Sequence, residues 1–341
     1  MQRIDIHNHV IPAAYIKAVR EAPQRMGSHI ERDGQGREWL VLDNGRKTQL
    51  RRPFIEPELR LHAMAEAQID VMVESILPPL LHYWADVDKA VRVCRAVNDA
   101  IAENVSRYPG RVVGMGMVPL QDVGEAIREL ERIVHELAMP SVIVGTNVNS
   151  KNLDEPEFFP FFERAQGLDV LVFVHPHEVA ASERLKRYYL TNWIGNPLET
   201  SIAFASLIFG GVLERLPKLK VCFAHAGGYT PWIRGRWRHG YSVRSKPEVV
   251  LKHPIYEYTR QCFFDTVIFD ELALEYLIRA VGSDRVLHGT DYPSDMGTWD
   301  QVPLINRYNN LTETDKEKIL GGNAAALLRL NQPPLAKQEG K

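Results

Sequence analysis

Cysteine is scarce in this chain. Only Cys94, Cys222 and Cys262 occur in 341 residues, far apart and without CxxC spacing, which argues against a disulfide framework and a zinc–thiolate centre and suits a reducing compartment. Long apolar runs are missing as well. No stretch reaches the roughly 18 apolar residues of a membrane-spanning helix, and the opening MQRIDIHNHV holds no signal-peptide core. The expectation is a cytoplasmic protein with no membrane partner. Nor is there an excess of one charge: 41 basic against 43 acidic side chains leave a net charge of −2. No global field would hold a polyanion, and no basic stripe carries interleaved aromatics, so nucleic acid is not an expected partner.

What is present is the composition of a folded enzyme, 45% apolar and 25% charged. Eight short β-branched or aromatic runs recur along the chain: 3–9, 71–76, 112–118, 141–145, 170–174, 220–224, 262–265 and 285–289. Between most of them lie amphipathic stretches, at 57–68, 86–108, 124–137, 155–167, 198–216, 270–281 and 312–330. Strand–helix alternation with nearly continuous apolar strands implies a parallel sheet covered by helices. Eight such units predict an α/β fold closed into a (β/α)8 TIM barrel rather than an open sheet.

Residues 11–56 interrupt the rhythm with GRKTQLRRPF and other polar, glycine-rich stretches. They read as an insertion over the barrel mouth, whose plainest form is a solvated loop. No linker divides the chain, so residues 1–330 are expected to form one barrel domain. The ending NQPPLAKQEGK at 331–341 reads as a flexible C-terminal tail or an arm over a neighbouring subunit.

Alternate residues of a strand share a face, so Asp5, His7 and His9 of IDIHNHV project together while Ile4 and Ile6 project to the other side. The two histidines lie at the carboxyl end of the first strand, where barrel active sites form. An HxH pair alone is a weak signal. Three further strands end in similar chemistry: FVHPH, CFAHAGG and HGTDYP.

Imidazole and carboxylate are the ligands expected of zinc and similar divalent ions. The candidate ligands are therefore His7, His9, His175 and Asp291. His225 is left over and suits general acid–base work, with a packed or fifth-ligand histidine as its alternative. A carboxylate at Asp291 can reach both metal and water, so a part in proton transfer is expected of it as well as ligation. The fourth strand, SVIVGTNVN, offers no lysine to bridge a second ion, so one metal is expected. Such an ion lowers the pKa of bound water from 15.7 towards about 7.

Together with NPLETSIAFASLIFGGVLERLPKLK, KLKVCFAHAGG, VGTNVN and LHGTDYP, these residues resemble the amidohydrolase superfamily. Within it the chain is similar to the aminocarboxymuconate-semialdehyde decarboxylase-like family of amidohydrolase-related decarboxylases. The resemblance is strong over 112–330, clear at IDIHNH and weak over 11–56. It implies nonoxidative decarboxylation of a carboxylated muconate semialdehyde or hydroxylated aromatic acid, with one zinc ion, or manganese in some relatives.

Residue by residue, His7, His9, His175 and Asp291 match the family's metal ligands and His225 its catalytic histidine. Arg236 matches an arginine that reaches the substrate carboxylate of the adjacent subunit, which implies a homodimer or higher homo-oligomer. Arg51 and Arg52 fall near another carboxylate-binding arginine, with Arg46 a weaker match, and Trp193 matches a pocket-side aromatic. Three positions depart from the family pattern. His177 replaces a tryptophan, Asn147 replaces a histidine, and the stretch after Asp291 continues Tyr-Pro-Ser-Asp295, so Asn147 and His177 are candidate substrate contacts. The rival reading on the same barrel is a metal-dependent hydrolase or hydratase of an amide, lactone or unsaturated acid. A metal-binding barrel without turnover is the rival from another class.

Overall fold

The computed structural model describes residues 1–244 and 251–330; the tail at 331–341 lies outside the described residues. Thirteen strands are formed among them. The first is β1 (Ile4–Val10), followed by β2 (Ser28–Arg32), β3 (Glu38–Leu42), β4 (Lys47–Gln49) and β5 (Val71–Ile76). Next come β6 (Val112–Met117), β7 (Ser141–Gly145), β8 (Asn147–Val148) and β9 (Lys151–Asn152). The series ends with β10 (Leu171–His175), β11 (Lys220–Phe223), β12 (Phe263–Asp265) and β13 (Val286–Leu287).

Eight of these make one sheet in the order β1-β5-β6-β7-β10-β11-β12-β13, and their pairings are parallel. The eight apolar runs read from the sequence are these eight strands, with ends shifted by a residue or two. Closure comes from the backbone: the Ile6 amide donates to the His288 carbonyl at 2.9 Å, and the His9 amide to the Tyr292 carbonyl at 2.7 Å. The register of β1 against β5 slips between Asp5 and Asn8, an irregularity of the kind that re-aims side chains beside active sites.

The helices pack on the outside for identifiable reasons. The longest, Val87–Arg107, starts at Asp86, whose side chain accepts from the Lys89 amide, and it buries Ala90, Val93, Val97 and Ile101 on one face. Asn98 on that face is bound both ways to the Met117 backbone, donating to its carbonyl at 2.9 Å and accepting from its amide at 2.8 Å. The helix is thus fixed in register to β6.

Three expectations change. The 198–216 stretch is two helices, Asn196–Phe209 and Val212–Arg215, because Gly211 adopts a φ of 75° between them. The 312–330 stretch likewise divides into Glu313–Glu317, a π-turn at Lys318–Gly322 and Asn323–Leu327. The 11–56 insertion is no mere solvated loop. It holds the helix Ala13–Glu21 and the antiparallel sheet β2-β3-β4, and Met26, Leu40, Leu42 and Phe54 tie it to the core. Arg51 donates to the Pro293 carbonyl at 2.8 Å, and Arg46 pairs with Glu178 at 2.7 Å. Both partners lie in segments that follow the carboxyl ends of barrel strands.

Candidate active site

At the carboxyl end of the barrel, His7 and His9 from β1 meet His175 from β10. Their ligand atoms lie within 4.8 Å of one another, as do those of a second group, His7, His225 and Asp291. His7 Nε2 and His9 Nε2 are 3.1 Å apart. The Asp291 Oδ1 atom is 3.6 Å from His7 Nε2 and 3.3 Å from His9 Nε2, and its Oδ2 is 3.7 Å from His225 Nε2. Five side chains from four distant segments therefore surround one point.

The far sides of the rings are held by the scaffold. His7 Nδ1 lies 2.6 Å from Asp265 Oδ2, His9 Nδ1 is 3.1 Å from Ser75 Oγ, and His175 Nδ1 is 3.0 Å from the Pro176 carbonyl. Those contacts leave each Nε2 directed at the shared point. This is the arrangement by which outer partners fix the tautomer and orientation of metal-binding imidazoles. His225 differs, since its Nδ1 is buried without a hydrogen-bond partner among the described residues.

Electrostatics prepares the group for a cation. Burial pushes His175 well below the ordinary imidazole range, helped by His225, His9 and His7, and burial also lowers His9. Burial works against the charged form of His7 too, but Asp291 and Asp265 outweigh it and its pKa is raised. Burial alone would raise Asp291; the neighbouring His7, His225 and His9 rings hold it well below the carboxylate range. Neutral His9 and His175 and an ionised Asp291 are in the protonation states that metal ligation requires, and at His7 a cation would take the place of the proton that Asp291 and Asp265 favour, so this donor set is chemically fit for one divalent ion.

The backbone is strained where these groups meet. His225, Ala226 and Asp291 have φ of 53°, 55° and 59°, a left-handed conformation that residues other than glycine seldom adopt. Gly289 lies under His7: a Cβ there would stand 2.9 Å from the His7 Cβ.

A cavity of about 510 Å³ opens above the cluster. His9, His175, His225 and Asp291 form its floor, and its walls include Leu77, Trp193, Tyr229, Trp232, Val267 and Phe269. Ser294 and Asp295, at the departure from the family pattern, line it as well. Ser294 also donates to Asp291 Oδ1 at 3.0 Å. Among the described residues no arginine or lysine lines this cavity.

The remaining sequence candidates are placed unequally. Trp193 lines the cavity and is 54% exposed, so it is not a core tryptophan. Arg51 stands one residue behind the wall, on the Pro293 carbonyl and over the Phe54 ring at 4.8 Å. Arg52 points away, 74% exposed and paired with Glu56 at 2.7 Å, and Arg46 is taken up by Glu178. Asn147 and His177 are buried behind the wall. Asn147 donates to the His177 carbonyl at 2.6 Å and to Glu199 at 2.9 Å, while the His177 ring packs edge-on against Tyr83. Both support the wall instead of facing the cavity. Arg236 is exposed on the helix Thr230–Val243, outside its own chain's cavity.

Sequence reading missed Asp265. It ends β12 and also accepts from the amides of His225 at 3.0 Å and Ala226 at 2.8 Å. A carboxylate closing an apolar strand was the available signal. Asp5 was recognised only as sharing the face of His7; burial raises it to about 6, and it ties β1 to β13's extension by accepting from Thr290 Oγ1 at 2.6 Å.

Comparisons with known proteins agree with this geometry. The amidohydrolase family pattern matches residues 4–330. The 2-amino-3-carboxymuconate-6-semialdehyde decarboxylase of Dictyostelium discoideum is 36% identical over 331 residues, covering 96% of this chain and 92% of the relative. Among solved structures, the apo form of Metarhizium anisopliae IDCase superposes with a TM-score of 0.85 at 24% identity, covering 97% of this chain and 98% of that one. A dihydroxybenzoic acid decarboxylase from Polaromonas sp. JS666, holding manganese and the inhibitor 2-nitroresorcinol, gives 0.78 at 25% identity, with coverage of 97% and 98%. The chain belongs to the amidohydrolase family.

Proposed function

We propose that this protein is a metal-dependent nonoxidative decarboxylase, a carbon–carbon lyase acting on a hydroxylated aromatic acid or a carboxylated muconate semialdehyde in aromatic-compound catabolism. The carrying observation is the convergence of His7, His9, His175, His225 and Asp291, the last four of them on the floor of one largely apolar cavity. In this reading His7, His9, His175 and Asp291 hold one divalent ion, zinc by the preference of three imidazoles and a carboxylate, with manganese as the alternative. When bound, the ion supplies positive charge that anchors an anionic substrate and offsets negative charge developing on its oxygens.

The chain's own groups do the rest. The walls formed by Leu77, Trp193 and Val267 exclude water and take the flat face of a conjugated acid. His225 places its Nε2 at the cavity floor and gives a proton to the carbon bearing the carboxylate. The C–C bond then breaks, its electron pair returns to the conjugated system, and carbon dioxide leaves. Asp291, with Oδ2 3.7 Å from His225 Nε2, is a carboxylate whose negative charge favours the protonated ring, and a proton from solvent restores His225 for the next cycle.

Among the described residues no arginine or lysine lines the cavity wall, and in this reading one chain's site is completed by a second copy. Arg236, exposed on its helix, is the residue that a second copy would supply to the substrate carboxylate, which makes the working unit a homodimer or larger homo-oligomer. Arg51, on the Pro293 carbonyl next to Ser294 of the wall, is an arginine of the same chain close to the cavity. The test is to incubate metal-replete protein with carboxylated phenols and muconates and to measure carbon dioxide. Stoichiometric release from at least one of these acids is expected. Consumption of an amide or lactone with no carbon dioxide from any acid would overturn the proposal in favour of a hydrolase.

A further inference from the structure

We propose that a groove next to the cavity is a binding site for a small multivalent oxyanion, borne on phosphate or on clustered carboxylates. It lies among the helices Thr230–Val243, Ile255–Gln261 and Glu271–Val281, has a volume of about 460 Å³, and is lined by Arg234, Arg238, Arg260 and Arg279 with Trp232 and Tyr276. This inference uses neither the metal nor the reaction.

Helical spacing sets these arginines apart from the one assigned to the substrate. Arg234 and Arg238 are four residues apart and share one helix face, whereas Arg236 stands two residues from each and projects from the other side. Their positive charge is poorly balanced. Glu275 takes up Arg279 at 2.5 Å and Glu257 engages His253 at 3.3 Å. Among the described residues Arg234, Arg238 and Arg260 make no ion pair, and Arg234 is instead fixed by donating to the Ala280 carbonyl at 2.8 Å.

Four guanidinium groups around one groove repel one another. An anion with several oxygens relieves that repulsion and accepts the paired N–H donors of more than one arginine. The aromatic wall is ordered in advance, with Trp232 stacked on Tyr276 at 4.4 Å and an interplanar angle of 6°. Trp232 also lines the catalytic cavity, so one side chain borders both spaces and would report occupancy of the groove.

The experiment is calorimetric titration of the full, metal-replete chain with inorganic phosphate and, separately, with succinate, at two ionic strengths. One saturable site per chain is expected for at least one of the two, and which one identifies the oxyanion source. Affinity should fall with added salt, as for exposed charges, and by at least tenfold in the double variant Arg238→Ala/Arg260→Ala. The exposed Arg107→Ala variant should bind like the parent. If the double variant does not fold, Arg260→Lys keeps the charge, loses the planar fork and must still weaken binding several-fold. Absence of saturable binding by either anion, or binding that these substitutions leave unchanged, would overturn the proposal.

Discussion

Asp265 commits both carboxylate oxygens: Oδ2 to the His7 ring and the His225 amide, Oδ1 to the amides of Ala226 and Val267. One side chain thereby sets the direction of a proposed metal ligand and the backbone of the proposed acid. Asp265→Asn keeps the volume but turns one acceptor into a donor, so metal affinity should fall about 10- to 100-fold, read by competition with a chelator. Unchanged affinity would remove Asp265 from the orienting role. His225→Ala should behave differently. Loss of a positioned proton donor costs about 10²- to 10⁴-fold in turnover, while metal content should remain that of the parent; near-parental turnover would discard the acid–base assignment.

At the scale of elements, the turn after β11 is the most constrained piece. Gly228 has a φ of 63°, and a Cβ there would overlap the Pro197 carbonyl oxygen. The same corner is bound by Ser201, which donates to that carbonyl at 2.8 Å and accepts from the Tyr229 amide at 2.7 Å. Gly228→Ala combines a disfavoured φ with a backbone clash and should cost about 2 kcal/mol or more, seen as a lower urea midpoint. An unchanged midpoint would show that the corner tolerates the side chain. Elements of this kind are hard to read in a sequence. The helix Thr230–Val243 carries Gly235, Gly240 and three arginines in place of a clear apolar stripe, and its place is set by tertiary packing. The insertion's sheet was equally hidden, because short strands rich in Glu, Lys and Arg carry little alternation. The barrel strands were legible for the opposite reason, most being apolar runs buried on both faces.

The same contrast holds at the scale of the whole molecule. Strand-end motifs located His7, His9, His175, His225 and Asp291, because a barrel brings the carboxyl ends of its strands to one rim. Asn147, His177 and Arg52 were inferred from resemblance, and their side chains turn elsewhere. Folding also buries two histidines outside the proposed ligand set, His82 and His288. Burial pushes His82 and His288 each down to about 4, so the folded state stays unprotonated while the unfolded chain takes up protons below about 6.5. Stability should therefore be full above that pH and decline as pH falls towards 4, by about 1.4 kcal/mol per pH unit for each histidine. Urea midpoints at pH 7 and pH 5 check this, and equal midpoints would contradict it.

The proposed reaction depends on a single divalent ion shared by His7, His9, His175 and Asp291. Elemental analysis of the purified, metal-replete chain beside its His175→Ala and Asp291→Ala variants should find about one transition-metal ion per chain in the parent, lost from both folded variants. A folded parent that retains no such ion, or variants that keep it in full, would remove these four residues as a ligand set.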